Sequence, residues 1–517
     1  MALEVSDVDN ARRFIADHSK DLRYCVEWRK WLAWDGVRWR LDPSGKTPVQ
    51  RAIAVSDALV TEAQGVKARK WAEKSRESAR ISAMVSLSSA SDSISVVQDD
   101  FDIDTMILVC PNGTIDLRTG VLREHRREDM STKMAGTSLQ PEVATPKWTE
   151  FIHTVTRGNV DLQKYLQRVV GYMLTGDVSE QVLFFFFGVG SNGKGTFLKT
   201  IMEMLGEYAQ PAPRGLLEQS HSDDHPTQIA SLRKARLAVC SEVEQGRELA
   251  EALVKDLTGD DKLAARRMRE DFWYFHPTHK VVLQGQHKPI IKGSDDGIWR
   301  RVQSMPWLAR FKANSVSSDL GDDSMRVERE YSYYSKHLKA ELPGILAWAV
   351  EGCLEWQKNR LSPPAIILES IREYRREMFN VPDWMHERVE YVVDSVVSRA
   401  ELREDYLVWA SEKNCPPVDE RQLIGQMRAH IRERNCNATE IVARVPGSKW
   451  PARAWRHLRL ADVTVDESAY QPPSLPPNAS EQDDFDDVAL AGNVGPDTLL
   501  PETPSEESDD DGSGTTH

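Results

Sequence analysis

The segment at residues 181–209 constrains the fold most, because it reads as a buried strand, a glycine-rich loop and a helix. The strand, QVLFFFF, is apolar on both faces, which is typical of a strand inside a parallel sheet. The helix, FLKTIMEMLGEYA, has apolar residues at helical spacing. The loop between them fits the pattern G-x-x-x-x-G-K through Gly188, Gly193 and Lys194. Such a loop aims backbone N–H groups at phosphate oxygens, so the segment predicts a phosphate-binding α/β fold.

One position of the loop departs from the pattern. The residue after the lysine is normally Ser or Thr, whose hydroxyl holds Mg²⁺, and here it is Gly195. Thr196 supplies a hydroxyl one residue later, as in the GKGT loops of nucleoside monophosphate kinases. We therefore expect ATP and Mg²⁺ as cofactors, with Thr196 as a metal ligand and Lys194 on the β- and γ-phosphates. The candidate nucleotide-binding residues are Gly188, Gly190, Ser191, Asn192, Gly193, Lys194, Gly195, Thr196 and Phe197.

A second short strand is followed by acidic residues. The apolar run LAVC ends in Ser241-Glu242-Val243-Glu244, about fifty residues after the loop lysine. One carboxylate would hold Mg²⁺ directly or through water, with Glu242 the candidate ligand, while the other polarises the attacking water. Which of Glu242 and Glu244 is the catalytic base stays open, and a plain surface turn is the alternative.

Composition excludes several classes of protein. The chain has 517 residues, enough for several domains, and its six cysteines form no C-x-x-C pair. Neither a zinc ribbon nor a disulfide framework is expected, which fits a reducing cytoplasm. No apolar run approaches the ~18 residues of a membrane span, and the N-terminus is too charged for a signal peptide. We expect a cytoplasmic protein with no membrane contact.

The net charge of −14 belongs to the end of the chain. Residues 461–517 hold fifteen Asp and Glu and no Lys or Arg, so −14 + 15 leaves residues 1–460 at +1. The composition of this tail predicts disorder. It would act as a solubilising end, or as an acidic arm that competes with DNA or docks a basic partner.

The stretch before the tail is basic. Residues 421–460 carry nine Lys or Arg against two Glu, with Trp450 and Trp455 among them. Two amphipathic helices followed by a basic extended segment predict a winged-helix-like module that binds DNA, with Arg453 and Arg456 as candidate contacts. A merely solvated basic surface is the alternative.

The N-terminal region carries hairpin signals. Asp35-Gly36 and Asn112-Gly113 lie between stretches of alternating aromatic and polar residues, and Thr119-Gly120 marks a further turn. The polar stretch SSASDSISVVQDD between the two hairpins is expected to be a loop. The tryptophans are expected to form the core of a small β-rich domain, base stacking being the alternative.

Eight blocks in order make the chain resemble a known family. They are WDGVRW, NGTIDLRTG, YLQRVVGYMLTGD, GVGSNGKGTF, SEVEQG, KDLTGDDKLAARRM, DDGIWRRV and ELPGILAWAVEGCLEWQ. With them, most of residues 1–460 resembles the superfamily 3 helicases of the phage and plasmid primase family, which are related to the poxvirus primase–helicases. Members are modified AAA+ ATPases that form rings, usually hexamers, around DNA and unwind it during replication of a mobile genome.

The resemblance implies roles for further residues. Arg300 and Arg301 match the arginine-finger region, with Arg301 slightly preferred, and such a finger acts on the nucleotide of a neighbouring subunit. Gln286 stands where an Asn is expected to orient the lytic water or the γ-phosphate, and its longer arm would shift that geometry. Positive charge where DNA phosphates pass the pore would come from Lys262, Arg266, Arg267 and Arg269, the alternative being a solvated strand.

The implied architecture is an α/β, modified AAA+ P-loop ATPase core with an α+β N-terminal domain and a C-terminal winged-helix-like module. The expected segments are a helicase-associated N-terminal domain (1–140), an ATPase domain (145–310), a helical segment (311–385), the basic module (386–460) and the acidic tail (461–517). No primase domain precedes them, so primase activity is not expected and a separate primase is a possible partner.

The leading hypothesis for function is an ATP-dependent DNA helicase in phage or plasmid replication, a homo-hexamer on single-stranded and fork or origin DNA, in the host cytoplasm if phage-encoded. A nucleotide-dependent origin initiator or loader with weak hydrolysis is the alternative. A small-molecule kinase, suggested only by GKGT, leaves the IWRR block unexplained.

Overall fold

The structure, a computed structural model, describes residues 6–219, 225–241, 246–266, 271–293, 296–312, 326–328, 333–413, 415, 417–444 and 450–461. The expected site residues Glu242, Glu244, Arg267 and Arg269 and the acidic tail after residue 461 lie outside these ranges. Among the residues within them, no helix is long and apolar enough to cross a membrane.

The N-terminal part combines helices with two small sheets. The first sheet has the order β3-β2-β1-β4 and the second β5-β6-β7. Their elements are α1 (Asp7–His18), β1 (Leu22–Cys25), β2 (Lys30–Trp34), β3 (Trp39–Asp42), α2 (Lys46–Glu62), α3 (Val66–Ser75), α4 (Ser78–Ser88), β4 (Ser95–Val96), β5 (Ile107–Cys110), β6 (Gly113–Asp116) and β7 (Val121–Arg123).

The hairpins lie where the turn signals placed them. Trp34 pairs with Trp39 across the turn that contains Gly36, whose φ is +98°. Trp39 is fully buried and Trp31 is nearly so, which makes both of them core residues rather than base-stacking platforms. The expectation of a loop at residues 88–100 is wrong in part, because Ile94 is buried and β4 pairs in parallel with β1.

The central part is a five-stranded parallel sheet with the order β14-β8-β13-β10-β9. The expectation of an α/β core with a central parallel sheet is confirmed. The elements of this part are α5 (Pro146–Val155), α6 (Val160–Leu174), β8 (Leu183–Phe187), α7 (Lys194–Leu205), β9 (Ala209–Pro211), α8 (His225–Ile229), β10 (Leu237–Cys240), α9 (Glu251–Thr258), β11 (Leu263–Ala265), β12 (Trp273–Phe275), β13 (Lys280–Gly285), α10 (Asp296–Trp299), β14 (Val302–Pro306), β15 (Arg310–Lys312), β16 (Arg326–Glu328), α11 (Leu342–Asn359) and α12 (Ala365–Met378).

The phenylalanines of β8 explain the position of this strand. Phe184 and Phe186 are buried with residues of α5, α6, α7 and α11, whereas Phe185 is buried in the layer on the other face of the sheet. Successive side chains of a strand point to opposite faces, so a strand covered on both faces needs apolar residues at every position. Each buried Phe contributes about 1.5–3 kcal/mol.

The segment at residues 311–385 is only partly helical. Helices α11 and α12 agree with the expectation, but Phe311 and Val327 lie in two short strands, β15 and β16, that pair in parallel. The reason is that β15 follows β14, an edge strand of the central sheet, and its backbone pairs with that of β16. No local periodicity in the sequence shows such pairing. Among the described residues of this segment, the helical part begins beyond residue 332.

The C-terminal part has helices on a three-stranded antiparallel sheet with the order β17-β19-β18. Its core contains Trp384, Tyr406 and Trp455. The elements are α13 (Val381–Arg388), β17 (Val389–Ser398), α14 (Arg399–Glu412), α15 (Glu420–Glu433), β18 (Thr439–Ala443) and β19 (Ala452–Leu460).

A buried histidine precedes β13, and its burial makes the stability of the folded chain depend on pH. His279 is 2% exposed, and burial, with the nearby charge of Lys280, lowers the pKa of its imidazole from 6.5 to about 4. The folded chain therefore binds fewer protons at this site than the unfolded chain between these two pH values. The stability that neutral His279 supplies is complete above pH 6.5 and is lost as the pH falls towards 4, by up to ~3 kcal/mol.

We expect His279→Gln to lose less free energy of unfolding than the parent between pH 6.5 and 4, measured by urea denaturation at each pH. The exposed His276→Gln is the control and should follow the parent. An unchanged slope in His279→Gln would contradict the prediction.

Candidate nucleotide and nucleic-acid site

The register of the parallel sheet brings three strand ends to one edge. Phe187, the last residue of β8, pairs with Gly285, the last residue of β13. Cys240, the last residue of β10, pairs with Leu283 on the other side of β13. The residues that follow these three strands therefore emerge together. Glu242 and Glu244 come directly after β10 in the sequence, outside the described residues, so their metal and base roles stay predictions.

Two glycines of the loop after β8 are required by their surroundings. Gly188 has φ +144°, and a Cβ atom there would lie 2.6 Å from the carbonyl oxygen of Trp307. Gly193 has φ +91°, and its Cβ would lie 2.9 Å from Val155 Cγ1. Only glycine adopts these conformations at such close approach without strain. At these two glycines the loop packs against other segments of the same chain, whereas Val189 and Gly190 are exposed.

Polar contacts from the segment after β14 hold the loop. Asn192 is 3% exposed, and its Nδ2 donates to the carbonyl oxygen of Trp307 at 3.2 Å. Its Oδ1 accepts from the backbone N–H of Lys194 at 3.3 Å. The N–H of Phe311 donates to the carbonyl oxygen of Ser191 at 2.8 Å. Sequence reasoning missed this outer support, since Trp307 and Phe311 are more than a hundred residues from the loop.

Lys194 and Thr196 stand where a nucleotide would need them. Lys194 is the first residue of α7, is 8% exposed, and donates from Nζ to the carbonyl oxygen of Gly188. The amine of Lys194 is therefore held against the backbone at the start of the glycine-rich loop. Thr196 lies in the first turn of α7 and is half-buried. The loop conformation, the helix N-terminus and these two side chains fit the phosphates and the metal of Mg²⁺–ATP.

The space beside Gly195 shows what the missing side chain changes. Gly195 is exposed, and a Cβ atom added there would meet nothing within 4 Å. The residue lines a cavity of about 460 Å³, together with Met202, Val239 and Gln284 among others. A serine or threonine would fit at this position, so the glycine costs the loop a hydroxyl without relieving any crowding.

The side chain of Phe197 does not belong to the nucleotide-binding set. It is fully buried, its ring stacks on Trp148 with centroids 5.7 Å apart, and its edge meets Trp307 at 5.3 Å. The third helical position after Lys194 faces the core rather than the loop. Phe197 therefore anchors α7 and does not contact a ligand.

Gln286 lies next to the loop. It is the first residue after β13 and is exposed. Its Nε2 lies 3.9 Å from the position that a Cβ of Gly190 would occupy. Since β13 lies between β8 and β10, Gln286 follows the strand next to the one that leads into the phosphate loop. Its effect on hydrolysis stays a prediction.

The candidate DNA-contacting residues Lys262 and Arg266 flank one strand of a hairpin. In this hairpin β11 pairs antiparallel with β12, with Ala264 opposite Tyr274. Lys262 and Arg266 are both exposed. The hairpin also presents two rings that sequence reasoning missed, Phe272 at 52% and Tyr274 at 58% exposure. The guanidinium carbon of Arg266 lies 5.1 Å from the centroid of the Phe272 ring. The run of four aromatic residues in DFWYFHP was the available signal, because a strand buried on one face exposes every second side chain.

The end of the β11–β12 ladder nearest the turn, where Ala265 pairs with Trp273, is fastened to the N-terminal part. The guanidinium of Arg233 lies 5.7 Å from the ring of Trp28 and 5.9 Å from the ring of Trp273 in β12. Its Nη2 also donates to the carbonyl oxygen of Gln98 at 2.7 Å and to Asp99 at 3.0 Å. One side chain thus connects the hairpin strand to two N-terminal segments.

The two arginines before β14 differ in burial, and the buried one is Arg301, which the sequence analysis slightly preferred as the finger. Arg301 is 9% exposed, and its guanidinium donates to Thr258 Oγ1 at 3.2 Å and to the carbonyl oxygen of Gly297 at 2.8 Å. Arg300 is exposed, with a 3.3 Å hydrogen bond to Gln181. Of the two guanidinium groups, only that of Arg300 is thus accessible from outside the chain, and the finger role stays a prediction.

Two buried cations at the amino edge of the sheet have a structural role. Lys280 Nζ donates to the carbonyl oxygens of Thr175 and of Asp177, the latter at 3.2 Å, and Arg236 donates to the carbonyl oxygen of Leu174. Burial, followed by the charge of Arg236, lowers the pKa of Lys280 well below its usual range. Cations at the C-terminal end of a helix, here α6, satisfy its unpaired carbonyl groups. The strongly shifted pKa of Lys280 therefore marks a helix cap and not a catalytic group.

The expected contacts of the basic C-terminal part differ in exposure. Arg453 and Arg456 are exposed on β19. Trp450, just before this strand, is 78% exposed, whereas Trp455 is 3% exposed and belongs to the core. Only the first tryptophan is accessible to a ligand.

Comparisons with known proteins give two family matches. Residues 11–157 match the family described as D5 N terminal like, and residues 186–301 match a family of unknown function, DUF5906.

Two viral proteins, each named "Putative helicase", are similar to part of the chain. The relative from Acanthamoeba polyphaga mimivirus is 23% identical over 290 residues, which are 54% of this chain and 30% of the relative. The relative from Frog virus 3 (isolate Goorha) is 23% identical over 275 residues, which are 51% of this chain and 28% of the relative.

Two solved structures of the NrS-1 C terminal region in the apo state are similar at 10% identity. They cover 87% and 84% of this chain and 99% and 95% of their own chains, with TM-scores of 0.46 and 0.43. The chain spans less than a third of the length of either viral relative. The matches to the family and to the viral relatives confirm the resemblance that the sequence motifs indicated: residues 11–157 are similar to the D5 N terminal like family, and the chain is similar to two viral proteins named as putative helicases.

Proposed function

We propose that the chain is an ATP-dependent DNA helicase that acts in the replication of a phage or plasmid genome. One observation carries the proposal: a single strand, β13, joins the exposed hairpin to the nucleotide site. The hairpin strand β12 ends at Phe275, β13 runs from Lys280 to Gly285, and Gln286 follows beside the phosphate loop. A six-residue strand spans about 20 Å, so a group that senses the γ-phosphate and a group that touches DNA share one rigid element.

Each candidate residue at the carboxyl edge has a role in the proposed hydrolysis. ATP would supply the energy of phosphoryl transfer to water, with Thr196 and Glu242 holding Mg²⁺. Lys194 would neutralise the β- and γ-phosphates, and Glu242 or Glu244 would take the proton of the attacking water. Gln286 would orient that water or the γ-phosphate. Backbone N–H groups of the loop would bind the remaining phosphate oxygens.

The position of Arg300 supports hydrolysis between subunits. The carbonyl oxygen of Arg301 accepts from the N–H of Leu183 at the amino end of β8, while the phosphate loop follows Phe187 at the carboxyl end. These ends are about 13 Å apart. Arg300 therefore lies far from the loop of its own chain, and it would complete the site of a neighbour in a ring, which we take to be a homo-hexamer.

DNA would meet the ring at two places. The β11–β12 hairpin offers Lys262 and Arg266 to phosphates and Phe272 to bases. The C-terminal order of elements, α13-β17-α14-α15-β18-β19 with the sheet β17-β19-β18, supports a winged-helix module in which α15 is the recognition helix. We infer action on single-stranded and fork or origin DNA.

An origin-binding initiator with weak hydrolysis is the second candidate. Gln286 in place of Asn and the absent hydroxyl at Gly195 favour slow turnover. Strand displacement on a forked duplex by the purified chain separates the two, because an initiator binds DNA without unwinding it processively. The kinase alternative leaves the exposed hairpin without a role.

The first prediction concerns coupling between ATP and DNA. Single-stranded DNA should raise steady-state ATP hydrolysis by the parent chain. Lys194→Ala should lower turnover by about 10²-fold or more, because the charge on the transferred phosphoryl group is no longer stabilised. Lys199→Ala, on the same helix but exposed, is the matched control and should retain parental turnover. Equal ATP turnover with and without single-stranded DNA would reject the motor proposal and leave the initiator as the alternative.

The second prediction separates Arg300 from Arg301. Arg300→Ala should lose turnover but keep ATP affinity and melting temperature, because its side chain is exposed. Arg301→Ala should lower the free energy of unfolding by about 2–4 kcal/mol, since a buried guanidinium leaves its acceptors unpaired.

Mixing subunits tests the position of the finger. Equal amounts of Lys194→Ala and Arg300→Ala chains should recover part of the turnover, because some interfaces then combine an intact loop with an intact finger. Recovery absent from the mixture, or normal turnover in Arg300→Ala alone, would contradict action between subunits.

A further inference from the structure

Two arginines converge on one carboxylate in the C-terminal part, and a third arginine lies near them. Glu440 of β18 accepts hydrogen bonds from Nη2 of Arg399, the first residue of α14, and from Nη2 of Arg428 in α15. Arg453 of β19 lies close by. Burial first, and then the positive charges of Arg453 and Arg428, lower the pKa of Arg399. We call Arg399, Arg428, Arg453 and Glu440 the arginine cluster.

The arginine cluster carries an excess of positive charge. The other charged groups that face it are Glu420, whose charge reaches Arg399, and Arg403, which pairs with Glu420 at 3.3 Å. Four guanidinium groups thus face two carboxylates, a surplus of 4 − 2 = 2 positive charges. Arg399 is only 15% exposed and its Nε is buried without a hydrogen-bond partner. Such a group is stabilised by a further anion.

The surface around the cluster is open to a large ligand. Arg421, Gly425, Arg428 and Arg432 are exposed along one face of α15, at spacings of four, three and four residues. A Cβ added to Gly425 would meet nothing within 4 Å, so an incoming chain can approach the helix backbone there. On the neighbouring hairpin, Arg453 pairs with Val442, which is 71% exposed.

We propose that the arginine cluster binds one backbone phosphate of DNA, and that Glu440 occupies the place of this phosphate in the free protein. The inference rests on the DNA binding proposed above and deepens it, since it adds Arg399 and Arg428 to the sequence-predicted contact Arg453. Planar guanidinium groups bind carboxylate and phosphate in the same bidentate way, so one can replace the other. Binding then exchanges the two internal ion pairs of Glu440 for a contact that releases counterions.

The acidic tail is the competing occupant. Its fifteen carboxylates could approach the same guanidinium groups. Phosphate is favoured because the cluster lies between a helix with a basic exposed face and the base of a hairpin, which is the geometry that a continuous backbone can follow. The two occupants predict opposite effects of neutralising Glu440 on DNA affinity, so one experiment distinguishes them.

The test is DNA binding by the full chain, measured by fluorescence anisotropy with a labelled single strand and a labelled duplex between 50 and 200 mM KCl. Arg428→Gln should weaken binding about tenfold and reduce the slope of log K against log salt by about 1, the loss of one phosphate contact. Glu440→Gln should tighten binding several-fold, because the competing carboxylate is gone. Arg372→Gln, an exposed arginine of α12 with one carboxylate partner, is the matched control.

Two results would overturn the inference. If Glu440→Gln weakens DNA binding, the carboxylate orders the arginines or the freed cluster captures the tail, and no phosphate replaces it. If Arg428→Gln behaves as Arg372→Gln does, no phosphate is held there. Thermal melting of each variant checks that the C-terminal part remains folded.

Failure of the inference differs from failure of the proposed function. A parent chain that neither binds DNA nor couples DNA to ATP turnover removes the helicase proposal. A parent chain that does both while Arg428→Gln changes nothing removes only the phosphate contact at the cluster.

Discussion

The parallel pairing of β8 with β13 on one side and β14 on the other is the constraint on which the site depends. Because both faces of β8 are covered, its four phenylalanines can only fit at the centre of the sheet. That placement fixes where the chain after Phe187 emerges, and it puts the end of β13 beside it. Polar groups cannot interrupt this buried strand at low cost, so the chemistry is confined to the loops at its carboxyl end.

The positively charged side chains at the amino edge of the sheet differ in burial. At the amino edge, Arg236, Lys280 and Arg301 are buried and donate to oxygen atoms of their own chain. Burial of these cations is tolerable only because each has several acceptors. Arg300 is exposed beside them and is thus able to act on another molecule. At this edge of the sheet, exposure, more than residue type, separates Arg300 from the cations that hold the fold.

Local signals in the sequence predicted the elements whose contacts are local. The strand, loop and helix around Lys194 and the turn at Gly36 follow from apolar periodicity and glycine conformation. The inward direction of Phe197 and the burial of Arg301 depend on partners that are distant in the sequence, such as Trp307 and Thr258. The support of the loop by Asn192, the pairing of β15 with β16 and the arginine cluster have the same origin. None of them has a periodic signature.

The connection between the hairpin and β13 bears on how ATP turnover would move DNA. Thr278 and His279 are buried, Thr278 Oγ1 donates to the carbonyl oxygen of Ala235 at 2.7 Å, and the N–H of Lys280 donates to the carbonyl oxygen of Arg236 at 2.8 Å. A connection packed and bonded in this way does not act as a hinge. Arg233 fastens the hairpin from the other side, against the N-terminal part. The hairpin is therefore expected to move with its whole subunit. In the ring proposed above, hydrolysis would change the angle between neighbouring subunits through Arg300, and the hairpin would carry DNA along as part of a rigid body.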